Sequence, residues 1–375
     1  PTTAIDMANQ LYNAINGSGL SVTATATQAQ TSITLAGERV TLLSGSTVGV
    51  ALEGKTIFVD KTSGTNLRGT LEKPFDNIST AFASAVPGDL VRIVGNGGFD
   101  GDRTTLGDNF AYEIGFGSAG GPATLADGST MSVPSGVTAM IDAGAVFKLR
   151  RARIGVGSSS AGVDRSAGSL QVLGTPQERV YFTSWLDESI GRDTYPPTTT
   201  PASGDWGGIL FRADLDNADA RFNYESEGIF LNHVSHADIR YGGGQVRIDT
   251  VDVVVNPIQM IEMRPTIAFN RITYSADAAV SADPDSFEET NFLAPEYQLV
   301  NRFTPDYERI GPEIHGNVLL ENSINGLFVR IATPAGTELR SLTVPGRFDD
   351  IDIVHVLAEN LKIQGEAGGA LLEQS

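Results

Sequence analysis

The sequence predicts an all-β chain wound as a parallel β-helix, a single-stranded solenoid of stacked coils, and three observations carry that reading. From residue 133 onward, short apolar runs recur, each ended by Gly, Asn, Asp or Pro, and helical periodicity is nearly absent. Glycine is abundant, 42 of 375 residues, while charged residues make up only 19 %, which is the composition of a turn-rich folded chain. Third, Pro265-Thr-Ile-Ala-Phe-Asn270-Arg-Ile272 aligns with Pro312-Glu-Ile-His-Gly-Asn317-Val-Leu319 at an offset of 47, and the register runs on without a gap through Ser275/Asn322, Ala279/Gly326 and Val280/Leu327. A β-sandwich shares the short strands, but stacking like residues above like is what repeated coils require. The Asn at the repeated bend predicts an amide ladder between coils.

Taken in order, Asp6–Ile15 places Met7, Leu11 and Ile15 at helical spacing and ends at Asn16-Gly17. Thr/Val alternation over Ser21–Thr27, Ser32–Leu35 and Arg39–Leu43 predicts short strands. Residues 1–54 thus read as a small α/β module, a cap or linker, and residues 55–375 as the solenoid. Lys55–Asp60 opens the solenoid as a strand. Asn77–Val86 reads as a helical cap over its first open end, with Ile78, Phe82 and Ala85 on one face and Pro87-Gly88-Asp89 as a stop. Leu90–Val94 returns to strand. Further runs fall at Ala145–Leu149, Ser169–Leu173, Arg179–Thr183, Gly208–Phe211, Ile229–Leu231, Ala237–Tyr241, Thr250–Val255, Ile267–Thr273, Asn317–Leu320 and Leu327–Ile331. Two excursions interrupt them. Leu186–Asp205 contains Tyr195-Pro-Pro-Thr-Thr-Thr-Pro201, which cannot pair in a central strand, and Ser281–Gly311 carries Asp283, Asp285, Glu288, Glu289, Glu296 and Asp306. Ten or so coils at ~4.8 Å would make a stack on the order of 50 Å.

Charge and composition exclude several functions. Lys plus Arg number 26 against 45 Asp plus Glu, a net charge of −19, so the average surface repels nucleic acid and anionic lipid. Lys148, Arg150, Arg151 and Arg153 form one short basic cluster, read as an exposed strand face. No stretch approaches the ~20 apolar residues of a membrane helix. The absence of cysteine removes disulfides and thiolate chemistry without identifying a compartment. An opening at Pro1 with no leader pattern, and an ending with no stop signal, read as a piece of a longer chain.

At the level of motifs the chain resembles a family. Thr56-Ile-Phe-Val-Asp60, Lys73-Pro-Phe75, the segment Ile78–Ala85, Pro87-Gly-Asp89 and Val91-Arg-Ile93 look like the entry coil of pectate-lyase-like right-handed parallel β-helix proteins. Gly204-Asp-Trp-Gly-Gly-Ile209, Ile239-Arg-Tyr-Gly-Gly243, Arg264–Asn270, Arg309–Asn317, Asn322–Arg330 and Phe348–Val356 are similar to β-helix segments of very large secreted or surface proteins of planctomycetes and similar bacteria. The opening Ala8–Ile15 with Gly17–Val22 resembles a short module of bacterial surface proteins. The resemblance covers roughly residues 55–375. It implies a right-handed coil, an extracellular or cell-surface location and a structural or adhesive role, with glycans or further copies of the chain as partners, and it supplies no catalytic residue. The alternative function is a polysaccharide hydrolase or lyase.

Candidate chemistry is sparse. Asp349, Asp350, Asp352 and His355 form the densest ionisable cluster, and paired carboxylates can perform acid/base glycoside chemistry. On a strand, however, Asp350 and Asp352 share a face that Asp349 and His355 do not. The motif order of polygalacturonase-type hydrolases is also reversed, with Ile314-His-Gly316 and Arg330-Ile-Ala332 preceding Asp349-Asp350. Asp100, Asp102 and Asp108, and Asp214, Asp216 and Asp219, have the alternate-residue oxygen spacing of calcium loops, without a complete EF-hand pattern; Ca2+ is the one cofactor they could take. His233 and His236 sit among strand signals, where their spacing sends them to opposite faces. Trp185, Tyr195 and Trp206 are candidates for stacking on a sugar, although a Trp buried over the coil interior is the plainer reading for Trp206 and Trp185.

Overall fold

In the computed structural model the described residues are 23–25, 34–36, 40–42, 50–52, 54–64, 67–117, 123–160, 162–194, 200–216, 230–287, 311–331, 342, 348 and 350–363. The chain divides into two compact units, Pro1–Lys55 and Thr56–Ser375. In the first, β1 (Thr23–Thr25) pairs antiparallel with β2 (Thr34–Ala36), and β3 (Val40–Leu42) with β4 (Val50–Leu52). The expected helix Asp6–Ile15 lies outside the described residues.

The second unit is mostly β, with three parallel sheets that the chain visits in rotation. It opens with β5 (Thr56–Val59), helix α1 (Ile78–Ser84) and β6 (Leu90–Ile93). There follow β7 (Tyr112–Gly115) and β8 (Met131–Ser132); then β9 (Thr138–Asp142), β10 (Val146–Arg150) and β11 (Ile154–Val156); then β12 (Ser169–Leu173), β13 (Val180–Ser184) and β14 (Ile209–Arg212). The next strands are β15 (His233–Ser235) and β16 (Ala237–Arg240), the hairpin β17 (Gln245–Ile248) with β18 (Val251–Val254), and β19 (Ile258–Ile261). The last are β20 (Thr266–Ala268), β21 (Arg271–Thr273), β22 (Ala278–Ala282), β23 (Glu313–His315), β24 (Val318–Leu320), β25 (Ile324–Val329) and β26 (His355–Leu357). The first sheet orders β5-β6-β9-β12-β15-β20-β23, the second β7-β10-β13-β16-β21-β24 and the third β8-β11-β14-β19-β22-β25-β26.

Alternation along each strand turns this order into columns of apolar side chains. In the first sheet Val59, Ile93, Ile141, Val172, Val234, Ile267 and Ile314 are register partners in succession, and all are buried. The second sheet aligns Tyr112, Phe147, Phe182, Ile239, Ile272 and Leu319. The third aligns Met131, Ile154, Ile209, Ile258, Val280, Leu327 and His355. The three columns form one core. Within it the rings of Tyr112, Phe147, Phe182 and Trp206 follow one another at 5.1, 4.9 and 6.5 Å, a ladder in which each pair contributes about 0.5–1.5 kcal/mol beyond its burial.

Corners are set by left-handed residues and amides. His236, Phe269 and Gly316 occupy one corner in successive layers at φ 53, 58 and 63°. Only glycine takes such a φ without a Cβ penalty, so the two side chains need compensation, and it comes from the following residue. Asn270 Oδ1 accepts from Ala237 N at 2.8 Å while its Nδ2 donates to Val234 O at 2.7 Å. Asn317 Oδ1 accepts from Asn270 N and Nδ2, both at 3.0 Å, and its Nδ2 donates to Ile267 O. The expected amide ladder is therefore present. Helix α1 starts at Asn77, whose Oδ1 accepts from Thr80 N, and it packs Ile78 and Ala81 into the core beside β5 and β6.

Several expectations need correction. The repeat offset of 47 holds from Thr266/Glu313 to Thr273/Leu320 and again at Val280/Leu327, but the register shifts between Ala278 and Val280. Ile267–Thr273 is two strands broken at the Phe269 corner. Thr250–Val255 contributes an antiparallel hairpin strand, not a coil. Around Ile229–Leu231, described from Phe230 on, the strand begins only at His233, after Asn232, whose Oδ1 accepts from Leu170 N. Ser281 and Ala282 still belong to β22, and residues 288–310 of that excursion lie outside the described residues. Among the described residues the longest sheets hold seven strands, about 29 Å from first to last at ~4.8 Å spacing.

Candidate functional site

The outer face of the second sheet carries the richest polar arrangement. β10 turns Phe147 and Leu149 inward, which sends Lys148 and Arg150 outward, and Glu113 of β7 lies beside Lys148. Loop residues 186–194 then fold over this face. Lys148 is fully buried beneath them, its Nζ donating to Glu188 Oε2 at 3.2 Å and to Arg192 O at 2.9 Å. Thr183 donates to Asp187 at 2.6 Å, and Thr194 Oγ1 to Glu188 at 2.7 Å and Trp185 O at 3.0 Å. Trp185, 7 % exposed, donates from Nε1 to Glu113 at 3.0 Å and lies under the Arg150 guanidinium, 5.6 Å from its ring centre. The expectation of an exposed basic strand face is overturned for Lys148 and Arg153, both of which are buried.

Two cavities open beside the partners of Trp185, one lined by Glu113 and the other by Arg150. One of about 310 Å³ is lined by Lys61, Phe110, Ala111, Glu113, Arg192, Asp193 and Thr194. The other, of about 400 Å³, is lined by Arg150, Arg151, Gly204, Asp205, Gln245 and Asp252. Arg151 sits there in left-handed backbone, φ 48°, with its N–H on Asp205 O at 2.7 Å, while Asp205 Oδ2 accepts from Ser184 Oγ and Ala202 N. Such a lining, with guanidinium, carboxylate and amide groups close together, offers both donors and acceptors to a polar ligand.

The remaining sequence candidates fall elsewhere. Trp206 is 0 % exposed, donates to Arg240 O at 2.7 Å and has no face free to stack on a sugar. Tyr195, Asp219 and Asp349 lie outside the described residues. Asp350 and Asp352 are in a coil and turn ahead of β26, not on a strand, and their carboxylates accept from Ile314 N (3.1 Å) and Gly316 N (3.3 Å). They supply acceptors along β23, the last strand of the first sheet, where a further strand would otherwise pair. His355 ends the third sheet's apolar column, with Phe287 and Phe348 rings 5.8 and 5.9 Å away. His233 bonds Phe230 O, and His236 bonds Ser235 Oγ and stacks on Phe269.

The described calcium candidates accept from protein donors, those of the first loop within their own turn. Asp100 Oδ1 accepts from Asp102 N, Asp102 Oδ1 from Thr104 N and Oγ1, and Asp108 Oδ2 from Phe99 N. The two Thr104 bonds hold the Asp102 pKa below its usual value. Asp214 forms a fork with Arg212, and Asp216 accepts from Ser158 N at 2.7 Å. Among the described residues, Glu262, Asp283 and Asp285 are the carboxylates close enough to share a cation, with oxygens within 4.8 Å of one another. Asp283 Oδ1 already accepts from Glu262 N, Ser286 N and Ser286 Oγ; burial raises its pKa and those bonds only partly offset this. Sequence spacing missed this trio because Glu262 lies one layer away from the other two.

No family model, curated protein or solved structure matches the chain.

Proposed function

We propose that residues 55–375 wind as a right-handed, three-sided parallel β-helix, and that the chain is a non-catalytic structural or adhesive segment of a large bacterial extracellular or cell-surface protein that contacts glycans. The rotation of strands through three parallel sheets and the strong right-handed preference of parallel crossovers support the winding. The observation that carries the functional reading is that Asp350 and Asp352, from the densest acidic cluster of the sequence, each accept from a strand amide, which supports a structural use of these two carboxylates. The cavity at Arg150 and Arg151 is the proposed glycan contact. Titration of neutral and acidic oligosaccharides onto the full chain tests it: binding should weaken at least ~10-fold in Arg150→Gln/Arg151→Gln, about 1.4 kcal/mol, with no new reducing ends released.

A second reading, a polysaccharide hydrolase, is favoured by one observation: two carboxylates, Asp205 and Asp252, line the same cavity. Release of reducing ends that is abolished by Asp205→Asn or Asp252→Asn, and not by Asp350→Asn, would establish it over the structural reading.

A further inference from the structure

Arg153 is the most unusual charged group in the described chain. It is 6 % exposed, and its Nε meets no acceptor among the described residues. Its guanidinium reaches over Gly155 of β11: a Cβ added there would come within 2.3 Å of Arg153 Nη1 and 3.6 Å of Ser132 Oγ. Two more guanidiniums approach from other elements. Arg165, anchored by its N–H on Ser158 Oγ at 2.7 Å, reaches Ser159 Oγ with Nη1 at 3.4 Å. Arg212, at the end of β14, points Nη1 at Ser159 O, also 3.4 Å, while Nε and Nη2 hold Asp214. The positive charges oppose one another. Burial first, then Arg165 and Arg212, lower the Arg153 pKa to about 10, with Asp249 acting weakly in the other direction. Of the carboxylates around this place, Asp214 is held in the Arg212 fork, Asp216 accepts from Ser158 N, and Asp249 and Glu262 act on Arg212 from farther away.

A buried guanidinium whose Nε has no acceptor, pressed by two like charges in a chain of net charge −19, is an arrangement that stability alone does not favour. We propose that Arg153, Arg165 and Arg212 form a binding site for a tetrahedral oxyanion, a sulfate or phosphate group, on the outer face of the third sheet. Donors from three elements suit an anion with oxygens in several directions, whereas a planar carboxylate is satisfied by a single guanidinium fork. Arg165 and Arg212 are half-buried and provide the approach.

The test is thermal unfolding and calorimetric titration of the full chain with sodium sulfate, sodium phosphate and sodium acetate, against sodium chloride at matched ionic strength. Sulfate also stabilises proteins generally by exclusion from their surface, so the signal is the difference between the unaltered chain and Arg165→Gln. Expected is a millimolar Kd for sulfate or phosphate that weakens at least 10-fold in both Arg165→Gln and Arg153→Met. Whichever of the two anions binds more tightly names the group. Equal responses of the unaltered chain and Arg165→Gln to every anion would overturn the site, and acetate binding as tightly as sulfate would overturn its tetrahedral preference. Should Arg153→Met fail to fold, Arg212→Gln with Arg165→Gln decides the outcome.

Discussion

Asn270 and Asn317 each tie two layers together through one side chain. Replacing Asn317 by Ala strands Asn270 N and Ile267 O in the corner, so Asn317→Ala should cost about 2–6 kcal/mol in chemical denaturation, at the rate of about 1–3 per orphaned buried group. Asp127 acts in the opposite sense. It accepts from Lys61 at 2.6 Å, from Ile78 N and from Glu113 N, yet burial outweighs these bonds and raises its pKa above 3.8. The folded state then holds the proton more tightly than the unfolded state. Its contribution is full below the ordinary carboxylate value and declines as pH rises through the elevated folded one. The melting-temperature advantage of the unaltered chain over Asp127→Asn should therefore shrink between pH ~4 and neutrality; an advantage growing with pH would contradict the assignment.

At the scale of elements, neighbouring strands approach so closely that specific positions accept no Cβ. One built on Gly208 would lie 1.7 Å from Asn256 O, and one on Gly157, where φ is 85°, 1.7 Å from Arg212 O. Gly208→Ala should push β14 from the bend before β19 and destabilise by roughly 3 kcal/mol, while Gly162→Ala, with nothing within 4 Å, should stay within ~0.5 kcal/mol. The hairpin β17–β18 belongs to this scale too: Val246, Ile248 and Val255 cover Leu210 on the outer face of the third sheet, so the hairpin is a lid with its own small core.

For the molecule as a whole, each layer is stabilised chiefly by the layers above and below it, as expected of a stack. Phe182 sits between Phe147 and Trp206, and Phe182→Ala should cost about 3–5 kcal/mol and broaden the unfolding transition as the two halves of the stack lose their coupling. A net charge of −19 adds a repulsion that salt screens, so the melting temperature should rise between about 10 and about 150 mM NaCl; a fall would mean that surface ion pairs outweigh the repulsion.

Alternation and the 47-residue repeat made the inward residues legible, because a strand's period of two assigns faces locally and the Asn bends recur in register. The helix at Ile78–Ser84 was legible for the same local reason, an N-cap asparagine and a proline-glycine stop. What the sequence could not contain was the partner across layers, since the loops between layers vary in length and only folding decides which residue lies above which. Hence Lys148 and Arg153 read as exposed yet are buried, and the sequence could not show that Asp350 and Asp352 lie against the amides of a strand edge. Glu262 meets Asp283 and Asp285 for that reason as well. Local pattern determined the columns; the stacking of unequal loops, which only three dimensions settle, decided where charge is held.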